Sequence, residues 1–116
     1  MARPNPVESF AARLLVQLHE ADAEAEPIAF RTRGKTAVFG FVDDDEWVPL
    51  FRLTSPSPSA NIMHLDVQHG RSWAPTSLRG VPAALVNELI GPLAYIWRLP
   101  LRAADALARF RRPDPA

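Results

Sequence analysis

Between positions 36 and 79, apolar and polar residues alternate in short runs broken by turn residues. The runs cover 36–42, 46–53, 60–69 and 72–78. Asp43-Asp44-Asp45, Ser55-Pro56-Ser57-Pro58 and Gly70-Arg71 separate them. A period of two marks half-buried strands, so the pattern predicts an antiparallel meander. In the third run Ile62, His64, Asp66 and Gln68 share one face, and Met63, Leu65 and Val67 share the other, core-like face. The second run is apolar on both sides. Trp47, Pro49, Phe51 and Leu53 fall on one, and Val48 and Leu50 on the other, which predicts cover on both faces or a nearby partner. Pro49 and Pro75 cannot donate a ladder hydrogen bond, so each predicts an edge, a bulge or a solvent-facing position.

Outside this stretch the period changes. Val7, Phe10, Ala11, Leu14, Leu15 and Leu18 recur at steps of three and four, which predicts an amphipathic helix. Asn5 suits its cap, Pro6 its first position and Glu8 its first turn. The pattern fades over 21–26 and stops before Pro27. Residues 28–31 read as an edge strand or a link, and Gly34 allows a turn into the meander. Pro82 opens a second helix with Leu85, Leu89, Leu93 and Ile96 or Trp97 on one face, widened by Val86 and Ile90. Gly91-Pro92 is expected to kink or divide it. Pro100 is expected to begin a third segment with a weaker stripe of Leu101, Ala104, Leu107, Ala108 and Phe110.

These elements predict an α+β fold: an N-terminal helix, a four- to five-stranded antiparallel meander, and two C-terminal helical segments packed on one sheet face. A length of 116 residues predicts one domain spanning 1–116, with frayed ends near 1–4 and 111–116. Such a chain buries enough surface for one core without covalent staples.

The chain has no cysteine, which removes disulfides, cysteine-based zinc sites and a cysteine nucleophile. The 13 basic and 13 acidic residues balance, unlike the strong basic excess of a general nucleic-acid coat. The distribution is uneven. Residues 1–58 hold six Lys or Arg against nine Asp or Glu, and residues 59–116 hold seven against four. Lys35 is the single lysine; the other basic residues are arginines, suited to bidentate phosphate or carboxylate recognition and equally to an Ala-, Arg- and Pro-rich composition. The N-terminal residues carry no apolar signal region, and the window 85–101 is interrupted by Asn87, Glu88, Pro92, Arg98 and Pro100. It is too short and too polar to cross a bilayer core of about 30 Å, so the sequence predicts no membrane span and a cytoplasmic location.

His64, Asp66 and His69 are the one His/Asp cluster. Two apart on a strand, His64 and Asp66 share a face with about 7 Å between Cα atoms, which suits two metal ligands or a carboxylate orienting an imidazole. His69 has the opposite parity and joins only if the strand ends or bulges near Val67. A further ligand would come from Asp43, Asp44 or Asp45; the plainer reading is a solvated strand face. The run Asp43-Asp44-Asp45-Glu46 lacks the ligand and glycine spacing of a calcium loop and reads as a charged turn. The Ser55-Pro56-Ser57-Pro58-Ser59 run reads as a stiff turn, with a recognition loop or phosphoacceptor as the functional alternative. No nucleophile elbow, S-x-x-K, Walker loop or G-x-G-x-x-G is present. The sequence implies no cofactor and no assembled catalytic set.

Arg98, Arg102, Arg109, Arg111 and Arg112 lie among Tyr95, Trp97 and Phe110 near the C-terminus. Phosphate contacts, with Arg109, Arg111 and Arg112 as the nucleic-acid residues, are one reading. An interfacial amphipathic helix is another, and arginine stems covering apolar surface are the plainest. The helix from Pro82 is apolar over a wider arc than a small sheet can cover. Trp73, Leu89, Leu93, Tyr95 and Trp97 are therefore the candidate contacts for a protein partner or a second copy of the chain.

Residues 73–95 resemble the MmcQ/YjbR group of small α+β proteins. The shared features are a Trp leading a strand (Trp73), the turn Leu78-Arg79-Gly80, Val81-Pro82, then Leu85, Leu89-Ile90 and an aromatic Tyr95. The segment is about a fifth of the chain. Ala94-Tyr95 stands at a shifted offset where that group has a Ser-Tyr pair, and Ser72 replaces a basic residue. The resemblance implies a sheet comparable with DNA-binding folds. From the residues themselves, the expected function is a small non-catalytic binding or adaptor domain acting through protein contacts, with a homodimer as one form of it. A metal protein or small enzyme using His64 and Asp66, and a nucleic-acid binder using the C-terminal arginines, are the alternatives.

Overall fold

Asn5 accepts a hydrogen bond from the Val7 N–H at 2.9 Å, and Pro6 follows it at the first helical position. This cap starts α1 (Pro6–Ala21) in the structure, a computed structural model that describes residues 5–111. A 3-10 turn (Ala23–Ala25) follows, then β1 (Ala29–Arg33), β2 (Thr36–Asp43), β3 (Glu46–Thr54), β4 (Met63–His69), β5 (Ser72–Gly80), α2 (Pro82–Ile90) and α3 (Tyr95–Arg111). The fraying expected of 1–4 and of the tail beyond Arg111 lies outside the described residues.

The strands form one antiparallel sheet in the order β1-β2-β3-β4-β5, so each hairpin follows its neighbour without a crossover. Residues 28–31 thus lead into an edge strand rather than a link. Asp44 and Asp45 both take positive φ, giving the β2–β3 connection the backbone that matches strand twist in a two-residue hairpin. Gly34 and Gly70, at φ 58° and 63°, supply left-handed residues in the β1–β2 and β4–β5 turns.

β3 does not alternate uniformly. Phe39 pairs with Phe51, but Gly40 pairs with Pro49, so Leu50 is an extra residue in β3. This bulge switches parity. Phe51 and Leu53 face the core beyond it, Val48 faces the core before it, and Trp47 turns to the opposite face. The expectation that Trp47 shares a side with Phe51 and Leu53 is therefore corrected. Pro49 is tolerated in the central strand because β4 pairs with β3 only over Phe51 to Thr54, leaving no ladder partner on that side at position 49.

All three helices cover one face. α1 contributes Phe10, Leu14 and Leu18, and α2 contributes Leu85 and Leu89. The sheet supplies Phe39, Phe51, Leu53, Met63 and Leu65. Phe39 stacks on Phe51 with centroids 4.8 Å apart and meets Phe30 at 5.6 Å. Gly91-Pro92 does divide the C-terminal helix. Pro100 does not begin a new segment; it lies inside α3, which continues to Arg111. Trp97 is fully buried and donates from Nε1 to the Leu89 carbonyl at 2.7 Å, tying α3 to α2. Among the described residues no helix is long and apolar enough to cross a membrane.

The bulge generates a prediction. A Cβ at Gly40 would lie 2.2 Å from the Val48 carbonyl oxygen and 3.0 Å from the Pro49 Cα. Backbone cannot swing aside as a side-chain tip does. Gly40→Ala is expected to lower stability by about 1–3 kcal/mol in urea denaturation; an unchanged midpoint would show that the bulge absorbs a methyl group.

Candidate functional site

The face of the sheet away from the helices is polar, and strand register arranges it in rows. Arg33, Thr36, Thr54, His64 and Arg79 pair in sequence across all five strands. The next row holds Arg31, Val38, Arg52, Asp66 and Pro75. Toward the other end of the sheet lie Trp47 and Trp73. The Arg31 guanidinium sits 4.2 Å from the Trp47 ring centroid, and that of Arg52 sits 5.3 Å from Trp73.

The candidate metal cluster is not assembled. Asp66 is buried although it lies on the open face, at 4 % exposure. Its Oδ2 accepts from Arg52 Nε at 2.9 Å and from the Thr54 hydroxyl at 2.5 Å. The carboxylate is a structural anchor between β3 and β4, since a buried charge needs partners of this kind. His64 stands two residues away on the same face but pairs in register with Arg79, not with an acid. His69 is exposed at the far end of β4, where its carbonyl accepts from the Ser72 hydroxyl at 3.1 Å. Among the described residues no group of three His, Asp or Glu is placed to hold a metal ion. The parity count anticipated the separation of His69. The engagement of Asp66 by Arg52, 14 residues earlier, had no local signal.

The proposed interface residues also divide. Leu89 and Trp97 are fully buried, so both belong to the core rather than to a docking surface. Leu93 is half-buried against that core, and Trp73 lies half-buried under Arg52 on the opposite sheet face. Tyr95 is 58 % exposed and lies on a surface that the sequence reading described only in part. Tyr95, Leu99, Ala103, Ala106 and Phe110 follow one another along α3 at steps of four, four, three and four, and all are exposed. Such steps place side chains on one helix face. Leu99 is 58 % exposed, Leu107 beside the stripe 51 %, and Phe110 91 %. A different face, with Trp97, Leu101 and Ala104, packs on the domain. The stripe crosses Pro100, where the sequence predicts a new segment, so the local period does not show it.

The arginines of α3 are occupied by carboxylates of the chain. Arg98 Nη2 donates to Asp22 Oδ2, and Arg102 pairs with both Glu24 oxygens at 2.7 and 2.9 Å. Arg109 pairs with Asp105 at 3.1 Å. Arg111 ends α3, and Arg112 lies outside the described residues. The nucleic-acid reading of the C-terminal arginines gains no unpaired basic row from Arg98, Arg102 and Arg109. The Arg98 hydrogen bond holds the Asp22 carboxyl below its usual range against the opposing effect of burial, and the Arg102 hydrogen bond does the same for Glu24.

In comparisons with known proteins, no family model, no curated sequence and no solved structure matches this chain. The fold defines an α+β protein with one open sheet, one helix-covered sheet face and an outlying C-terminal helix.

Two predictions follow from these contacts. Asp66→Ala removes the shared acceptor of Arg52 and Thr54 and is expected to cost about 1–3 kcal/mol; Asp66→Asn keeps an acceptor and should lose less in the same denaturation series. For Asp22, a folded pKa below the unfolded value means stability that is whole above about pH 4. It is lost as the pH falls through the folded value. Stability followed through the acid range should therefore fall less steeply in Arg98→Met than in the parent protein.

Proposed function

We propose that this protein is a small non-catalytic binding domain whose docking element is the exposed apolar stripe of α3, and that the stripe pairs with a second copy of the chain. The observation that carries the reading is the exposure of Tyr95, Leu99, Leu107 and Phe110 on one side of a helix whose other side is anchored in the core. A helix of 17 residues is about 25 Å long, long enough to offer a continuous seam.

The distribution of sizes along the stripe suits a two-fold contact. The large residues Tyr95 and Leu99 lie toward one end and Phe110 toward the other, with Ala103 and Ala106 between them. An antiparallel copy rotated about an axis near Ala103 sets Tyr95 against Phe110 of the second copy and Leu99 against its Ala106. The small residues let the helix axes approach to the usual packing distance of about 8–10 Å. Charge does not oppose the approach: the chain has no formal net charge, and Arg98, Arg102 and Arg109 are already neutralised by their own carboxylates. A self-complementary patch of this kind is what an isologous dimer requires.

One helix pair covers less than the ~800 Å² per partner of a standard interface, so the dimer is expected to be weak and concentration-dependent. Sedimentation velocity should show the 12.9 kDa monomer moving toward twice its mass as concentration rises through the micromolar range. Leu99→Asp and Phe110→Asp, both on exposed positions, should keep the fold and hold the protein monomeric. A parent protein that remains strictly monomeric at high concentration would sink the proposal.

A further inference from the structure

The geometry points to a second, separate site: an oxyanion pocket at the His64–Arg79 end of the open sheet face, suited to a phosphate monoester on a small organic group. A cavity of about 440 Å³ opens there, lined by Pro56, Ser57, Asn61, Ile62, His64 and Arg79. That volume lies within the range of small-ligand sites, about 300–1,000 Å³. The pocket lies across the sheet from the helix layer, so it stands or falls independently of self-pairing through α3.

The lining chemistry is one-sided. Arg79 supplies a planar set of five donors and makes no ion pair among the described residues, in contrast to Arg52, Arg98, Arg102 and Arg109. His64 stands opposite it in the strand register, and Asn61 and Ser57 add an amide and a hydroxyl. No carboxylate of the described residues lines the cavity. The nearest acid on this face, Asp66, has its carboxylate committed to Arg52 and Thr54. A guanidinium facing an imidazole, with no described acid between them, forms a place that an anion would bridge by accepting from both. Arg33, at the other end of the same cross-strand row, adds to the positive field of this end of the face.

The donor set selects phosphate over carboxylate. A guanidinium binds either one bidentately. Imidazole and amide donors then remain, which the three terminal oxygens of a phosphate monoester can accept and the two oxygens of a carboxylate cannot all serve. Pro56 and Ile62 provide an apolar wall beside these donors, and Ile62 is 45 % exposed. Burial of an organic substituent against that wall distinguishes a monoester from the free ion.

The connecting segment holds the pocket in shape. Ser55 is buried and its hydroxyl donates to the Ser57 carbonyl; the Ser57 and Ser59 hydroxyls lie 3.0 Å apart. Pro56 and Pro58 restrict the backbone on either side of Ser57. The Ser55 N–H bonds to the Lys35 carbonyl at 2.8 Å, which ties this segment to the β1–β2 turn. Little ordering is then required when a ligand enters.

Heteronuclear NMR titration of the intact protein, with inorganic phosphate, glycerol phosphate, phenyl phosphate and acetate as separate probes, tests the assignment. Saturable shifts at His64, Asn61 and Ser57 are expected with the phosphates. Phenyl phosphate should bind more tightly than inorganic phosphate, and acetate weakest. Arg79→Ala should weaken phosphate binding at least tenfold, while Arg71→Ala, an exposed arginine at the opposite end of the sheet, should leave it unchanged. Absence of saturable shifts, or equal binding by the Arg79→Ala protein, would overturn the site. Equal affinity for phenyl phosphate and inorganic phosphate would overturn the role of the apolar wall, and acetate binding as tightly as phosphate would overturn the selectivity.

Discussion

A single sheet covered on one side must keep every strand's apolar residues on that side, and in this protein the central strand meets the requirement only through a bulge. With uniform alternation, β3 would send Trp47 inward with Phe51 and Leu53 and turn Val48 outward. The extra residue at Leu50 reverses the register between Gly40 and Pro49. Phe51 can then stack on Phe39 while Trp47 leaves the core. Gly40 makes the reversal possible, since the Val48 carbonyl passes where any side chain would begin. The layer of α1 and α2 rests on the aromatic platform that results.

The bulge also turns Trp47 to the open face, where Trp73 lies by the register of β5 on β4. Trp47 and Trp73 end up outward, each beneath an arginine that shields its ring. Asp66, which would be solvated on an ordinary polar strand face, is enclosed by Arg52 and Thr54. The polar side of the sheet is therefore uneven. Its middle is a satisfied network holding strands together, while at one end His64 and Arg79 face each other across β4 and β5. Along β4 the buried, hydrogen-bonded Asp66 and the half-buried His64 stand two residues apart.

The C-terminal helix follows a different logic. It is held by Trp97 and Leu101 in the core and by arginine pairs to Asp22 and Glu24, both of which precede β1. Arg98 and Asp22 are 76 residues apart, so this anchoring closes the N-terminal region against the C-terminal one. Once anchored, α3 presents a second apolar face that none of the described residues covers. Exposed apolar residues scattered singly are ordinary, whereas Tyr95, Leu99 and Phe110 are aligned along one face of α3.

Local pattern alone was enough for α1 with its Asn5 cap, the four meander runs, the turns at Gly34 and Gly70, and the break at Gly91-Pro92. Each depends on residues within a few positions of one another, through capping, side-chain period or backbone freedom. The parity of His64 and His69 was legible for the same reason. Only the tertiary structure decided that Asp66 is an anchor, that Trp97 and Leu89 are core, that Trp47 faces outward, and that α3 runs through Pro100 with an unbroken stripe. Those outcomes depend on which strand residue lies opposite which and on what the packed layers leave uncovered. A one-residue bulge or a carboxylate from a distant turn leaves no trace in a local period, because partners meet by register and packing rather than by sequence spacing.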